Sequence, residues 1–116
     1  AYIRTRDMYK HCISCRCNPG DVVRGGRFDA GHYRSRGSAG HLRFNVLNCW
    51  GQCKKCNRYL SGNVVEYRKR LIDVLGENRL IQLENDSSIV RFTIPYLQRI
   101  KSIFGRKKRL YERKFR

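Results

Sequence analysis

Apolar and polar positions divide the chain into two stretches of different character. Up to residue 62, short apolar runs alternate with Gly, Pro, Asn, Asp and Ser, the pattern of short strands and turns. Residues 1–11 read as a short, helix-like lead-in. "VVRGGRFDAGHY" reads as two short strands around Gly25-Gly26, a hairpin signal. "RSRGSAGHLRFN" is a polar, Gly-rich loop, and "VLNCWGQ" a brief strand or turn. From Asn63, a candidate cap, apolar positions recur at helical spacing: Val64, Tyr67, Leu71 and Val74, as do Leu71 and Leu75, with Gly76 where a C-terminal stop belongs. "ENRLIQLEN" predicts a second, shorter helix and Asp86-Ser87-Ser88 a turn. A last helix starts at a Thr93 cap, with Pro95 tolerated in its first turn. Its apolar stripe is Leu97, Ile100, Phe104 and Tyr111, expected to pack on the core; its other face is cationic.

Composition narrows the function. The 116 residues suit one small domain with a thin core. Lys and Arg number 26 against nine Asp and Glu, a net charge of +17 spread along the chain. Such a field repels itself and attracts polyanions, nucleic acid first among them. A membrane partner fits less well. No apolar run approaches the ~18–20 residues of a membrane span, and no signal-peptide pattern opens the chain.

The six cysteines fall in two tight clusters, at 12, 15 and 17 and at 49, 53 and 56. Spread along a secreted chain they would suggest disulfides; clustered, they suggest metal ligands. Cys12-x-x-Cys15 and Cys53-x-x-Cys56 can each bend two sulfurs toward one ion, and together complete a tetrahedral four-cysteine zinc site. The segment between becomes a loop clamped at its base, and metal binding adds folding free energy that a thin core lacks. Cys17 and Cys49 are surplus and receive no role.

That clamped loop carries "FDAGHYRSRG", residues 28–37. A histidine with a nearby acid and flanking cations has the make-up of a proton acceptor facing a phosphate. It also has the make-up of an ordinary turn. Arg34, Arg36 and Arg43 can clamp phosphates as bidentate donors.

In order, the chain shows CxxC, His32, then Asn48, Cys53-x-x-Cys56 and Asn57. With "YIRTRD", "CISC", "DAGHYRSRG", "LRFN", "QCKKCNRYLSGN" and "EYRKRLI", it resembles the HNH (His-Me finger) nucleases of the zinc-stapled subclass. More closely, it resembles the NinG/Rap family of lambda-type phage recombination endonucleases. The resemblance covers nearly the whole chain. Family members extend further on the N-terminal side, so the chain is expected to be their C-terminal nuclease portion.

The resemblance implies an α+β fold: a small zinc-stapled ββα-metal core over residues 1–62, then a basic helical extension over 63–116. It implies His32 as general base, Asn48 as the residue holding the loop, and Asn57 as a ligand of a catalytic Mg²⁺ or Mn²⁺. Cys12, Cys15, Cys53 and Cys56 become the structural zinc ligands. Many HNH enzymes place an acidic ligand directly before the histidine, where this chain has Gly31. Asp29 is the nearest acid, about 6.6–6.8 Å from residue 31 on the same strand face, and a bulge at glycine could bring it into place. The implied activity is structure-specific cleavage of branched DNA, such as Holliday junctions and D-loops, in the cytoplasm of the bacterial host. Lys107, Lys108 and Arg109 are further expected DNA contacts. Symmetric cutting of a four-way junction needs two sites, hence an expected homodimer. The alternative is a zinc-stabilised nucleic-acid-binding module without catalysis.

Overall fold

The computed structural model describes residues 2–17, 28–88 and 90–114. Helix α1 spans Tyr2–Arg6, strand β1 Phe28–His32 and strand β2 Cys49–Cys53. A 3₁₀ turn at Gly40–Leu42 lies between the strands, and a π-helical turn at Lys55–Tyr59 follows them. Helices α2 (Val64–Leu75), α3 (Glu77–Asn85) and α4 (Ile94–Lys114) complete the chain. The chain is thus a small mixed α+β domain with a two-stranded sheet. The hairpin expected at Gly25-Gly26 has its first strand and turn outside the described residues; its second strand is β1.

The strands pair antiparallel in unbroken register, from Phe28 opposite Cys53 to His32 opposite Cys49. No bulge occurs at Gly31. A side chain there has no room: a Cβ would collide with Gln52 Oε1. Glycine at this position therefore serves packing against the opposite strand.

Two buried clusters form the core. Ile13, Tyr67, Leu71 and Leu80 make the first, flanked by Tyr33, Trp50, Ile72 and Leu75. Ala39, Leu42 and Leu83 make the second. The helices α2 and α3 thus bury the sheet and the first cysteine turn in one core. Of the expected α2 positions, Tyr67 and Leu71 are fully buried and Leu75 packs beside them, but Val64 and Val74 are exposed, because the buried face runs through Ile72 instead. Gly76, at φ 84°, ends α2 and opens α3, a left-handed position where a Cβ would be strained.

Thr93 caps α4 as expected, its hydroxyl accepting the Tyr96 N–H at 3.3 Å. The α4 stripe does not enter the core; no residue of α4 is buried. It packs on α1 instead, where Tyr2 stacks on Phe104 with centroids 5.7 Å apart and meets Tyr111 edge-on at 6.4 Å.

Candidate functional site

Cys12, Cys15, Cys53 and Cys56 converge, with all four sulfurs within 4.8 Å of one another. Zinc–sulfur bonds of about 2.3 Å in a tetrahedron place sulfurs about 3.8 Å apart, and Cys15 and Cys53 are 3.7 Å apart. The Cys53 amide points at Cys12 Sγ and the Cys56 amide at Cys53 Sγ, at 3.4 and 3.5 Å. Such N–H donors stabilise thiolate charge. The cluster can hold a metal such as zinc. Burial and the neighbouring thiols push Cys53 and Cys56 up to about 12. Burial also works to raise Cys15, but bonds from Cys17, Cys12 and Cys56 outweigh it and bring that thiol down to about 7. Four thiolates at this spacing therefore call for a cation. Cys17 is exposed beside the cluster, while Cys49 is buried away from it.

Strand β1 carries Asp29 and the π-helical turn carries Asn57. The turn folds back over the strand, and the Asn57 amide donates to Asp29 Oδ2 at 2.9 Å. Arg58 reaches both carboxylate oxygens, at 3.0 and 3.2 Å, and Lys54 Nζ lies 3.3 Å from Oδ1. Partial burial works to raise the Asp29 carboxyl, but these three partners outweigh it and hold it below the usual carboxylate range.

His32 ends β1. Its Nε2 lies 2.9 Å from the Arg43 carbonyl oxygen. A carbonyl has no proton to give, so Nε2 carries the hydrogen and Nδ1 is left with a lone pair. Asn48 is fully buried and ties the loop that follows. Its Oδ1 accepts the Arg34 N–H at 2.9 Å, and its Nδ2 donates to the carbonyls of Arg34 and Leu42 at 3.0 and 3.5 Å. The segment presenting the Arg43 carbonyl to His32 is therefore anchored by Asn48. Strand alternation puts Asp29 and His32 on opposite faces of β1, and no hydrogen bond joins them among the described residues.

The expected phosphate clamp divides. Arg34 is half-buried, its NH1 donating to the Leu83 and Asp86 carbonyls at 3.0 and 2.7 Å. It closes the C-terminal end of α3. Arg36 and Arg43 remain exposed. On α4, Lys107 lies over the rings of Tyr2 and Phe104, Lys108 pairs with Glu112 at 3.7 Å, and Arg109 is exposed. His41 donates to the Asp86 carbonyl at 2.6 Å, a structural tie.

A family model described as "Bacteriophage Lambda NinG protein" matches residues 1–114. The chain belongs to the NinG family. Protein ninG of Escherichia phage lambda is 38% identical over 107 residues, which are 92% of this chain and 50% of that protein. The ninG proteins of Salmonella phage P22 and Escherichia phage 933W are 37% and 36% identical over the same share of this chain. The chain spans about half the length of the curated relatives it matches. No solved structure matches.

Three residues that support this NinG-family site lie in "YIRTRD" and "QCKKCNRYLSGN", but no role for them could be read from the sequence. Asp7 is buried, accepts the Gly51 N–H at 2.8 Å and binds Arg6 at 2.7 Å. Arg6 continues to the Val46 and Cys49 carbonyls, so α1 is locked to β2. The one hint was an acid near the start of a chain so rich in cations. Gln52, fully buried, donates to Ser14 Oγ at 2.9 Å and to the Gly62 carbonyl at 2.5 Å. It ties the first cysteine turn to the segment after the second.

Proposed function

We propose that this NinG-family chain is a metal-dependent, structure-specific DNA endonuclease with an HNH-type site, cutting branched recombination intermediates such as Holliday junctions and D-loops. The observation that supports it most is the set of groups around one small sheet: an oriented His32 with a loop-anchoring Asn48, and from the other face of β1 an Asp29 joined to Asn57, beside a four-cysteine metal cluster. A binding module has no need of a histidine with one nitrogen fixed and the other free to accept a proton. In this reading Nδ1 of His32 takes the proton of the attacking water. Asn48 acts as a positioning residue, through the loop that holds the Arg43 carbonyl. Asp29 and Asn57 would hold Mg²⁺ or Mn²⁺, whose chemistry is to neutralise charge on the phosphoryl oxygens. Arg36, Arg43 and the α4 cations Lys107, Lys108 and Arg109 supply phosphate contacts. The site of action is the host cytoplasm, where phage DNA recombines, and symmetric cutting of a four-way junction would take a homodimer.

One observation favours the second reading, a zinc-stabilised DNA-binding module. Lys54 and Arg58 already neutralise Asp29, and a divalent ion must displace them. A nicking assay on a four-way junction, with Mg²⁺ against EDTA, separates the two. Metal-dependent nicking supports the nuclease; tight binding without cutting in any divalent metal supports the module.

A further inference from the structure

The turn after the second cysteine pair exposes apolar groups that the site described above does not use. Tyr59 is 82% exposed, Leu60 46%, Val64 47% and Val65 66%. Tyr59 makes no hydrogen bond or ring contact among the described residues. A large ring held in water at a fixed place is unfavourable unless something covers it.

The turn is rigidly built. The Leu60 amide donates to the Lys55 carbonyl at 2.9 Å, Gly62 to Cys56 at 2.8 Å and Asn63 to Leu60 at 2.8 Å. Asn63 was expected to cap α2; instead its side chain donates to Cys56 Sγ at 3.5 Å, and no side-chain bond caps the helix. Ser61 and Asn63 both hold positive φ, 50° and 43°, with Gly62 at 88° between them. Two non-glycine residues in the left-handed region are a local strain, of the kind that surrounding bonds must maintain. The tip is thus presented by a pre-organised turn fastened to the cysteine cluster.

The surroundings select the occupant. Lys54, Lys55 and Arg58 lie on the same turn, and Asp29, which pairs with Lys54 and Arg58, offsets only one of their three charges, so whatever covers the tip has anionic groups next to flat apolar faces. A second copy of this chain, itself at +17, would be repelled. Nucleic acid fits: phosphates for the cations and a base face for the ring. In a duplex every base face is already stacked, whereas at a branch point the helix stack is broken and the base pairs at the crossover can present an open face.

We infer that Tyr59, with Leu60 beside it, is a stacking wedge for the open base face at a DNA branch point, and so a determinant of branch selectivity. This rests on the DNA reading above. Asn57 and Arg58, which bond Asp29, directly precede Tyr59 in the chain.

The test needs no cleavage. The full zinc-loaded chain is titrated in EDTA-free buffer with Ca²⁺ against a four-way junction carrying 2-aminopurine at the branch, and against a linear duplex of the same sequence. Wild type and Tyr59→Phe should change the 2-aminopurine fluorescence and prefer the junction. Tyr59→Ala should lose that change and weaken junction binding roughly 5- to 150-fold, the range that one base–aromatic stack supplies, while duplex affinity and zinc content stay constant. Tyr59→Ala retaining both the fluorescence change and the preference would overturn the wedge and leave the DNA reading standing. Wild type binding neither DNA would overturn both.

Discussion

The amide of Asn57 meets the carboxylate of Asp29 at 2.9 Å across 28 positions of sequence. This joins the turn after the second cysteine pair to the strand that carries His32. It places an acid and a side-chain amide together, the amide nitrogen facing the carboxylate, where neither strand periodicity nor the Gly31 departure made the meeting certain.

Replacing Asn57 by Ala should lower junction nicking and raise the Mg²⁺ concentration needed for half-maximal rate, with partial rescue by more Mg²⁺ or by Mn²⁺. Loss of a ligand weakens metal occupancy and leaves proton transfer intact. Asp29→Ala should shift the same curve further, because it removes the charged partner. Unshifted curves in both variants would remove the pair from the metal site.

One zinc should be present per chain, and Cys53→Ser should lose it together with most of the folded structure. Structural zinc supplies about 10–16 kcal/mol in small zinc-dependent folds, as much as the whole stability of an ordinary domain, roughly 5–15 kcal/mol. Elemental analysis and thermal melting, with and without chelator, measure both effects. A metal-free protein of unchanged melting temperature would refute the staple.

Gly31→Ala should destabilise by about 1–3 kcal/mol, as overpacking does in a filled core. The added Cβ would meet Gln52 Oε1 and lie 2.9 Å from Gln52 Cβ, and Gln52 is held in place by Ser14 and Gly62. Urea denaturation gives the number; an unchanged midpoint would mean that β1 and β2 lie further apart than described.

Several of these features could be read in the sequence because they are local. Gly76 and Thr93 mark helix ends by their own backbone chemistry, and two CxxC spacings bring sulfurs together wherever the knuckles meet. Others depended on distant partners. Asn63 has the composition of a cap, yet the nearby Cys56 sulfur takes its amide. Arg34 has the composition of a phosphate clamp, yet the open carbonyls at the end of α3 take its guanidinium. The α4 stripe has core periodicity, but its partner is a five-residue helix at the other end of the chain. The ties of Asp7 and Gln52 run 44 and 38 positions to their partners, which no periodicity announces.

Alkaline solution should loosen the contact between Tyr33, the residue after β1, and Glu84 of α3. Burial, together with the Glu84 carboxylate that accepts its proton at 2.6 Å, pushes the Tyr33 hydroxyl up to about 12. The folded state thus favours the protonated tyrosine. Its contribution is complete below the unfolded value of about 10 and is lost as pH rises toward 12. Tyr33→Phe should flatten this part of the stability–pH curve, measured by urea denaturation from about pH 9 to about pH 12. Equal slopes in both proteins would contradict the assignment.

The nuclease reading turns most directly on the rate at which His32→Ala nicks a four-way junction in Mg²⁺. His32 lies outside the four-cysteine cluster, and its one fixed bond is to the Arg43 carbonyl. Its loss should therefore leave zinc content, folding and junction affinity nearly unchanged. Removal of a general base typically costs about 10²–10⁴-fold, and that loss is the result predicted. His32→Ala nicking at the wild-type rate would contradict it, and the chain would then be read as a binding module or as a nuclease with another base.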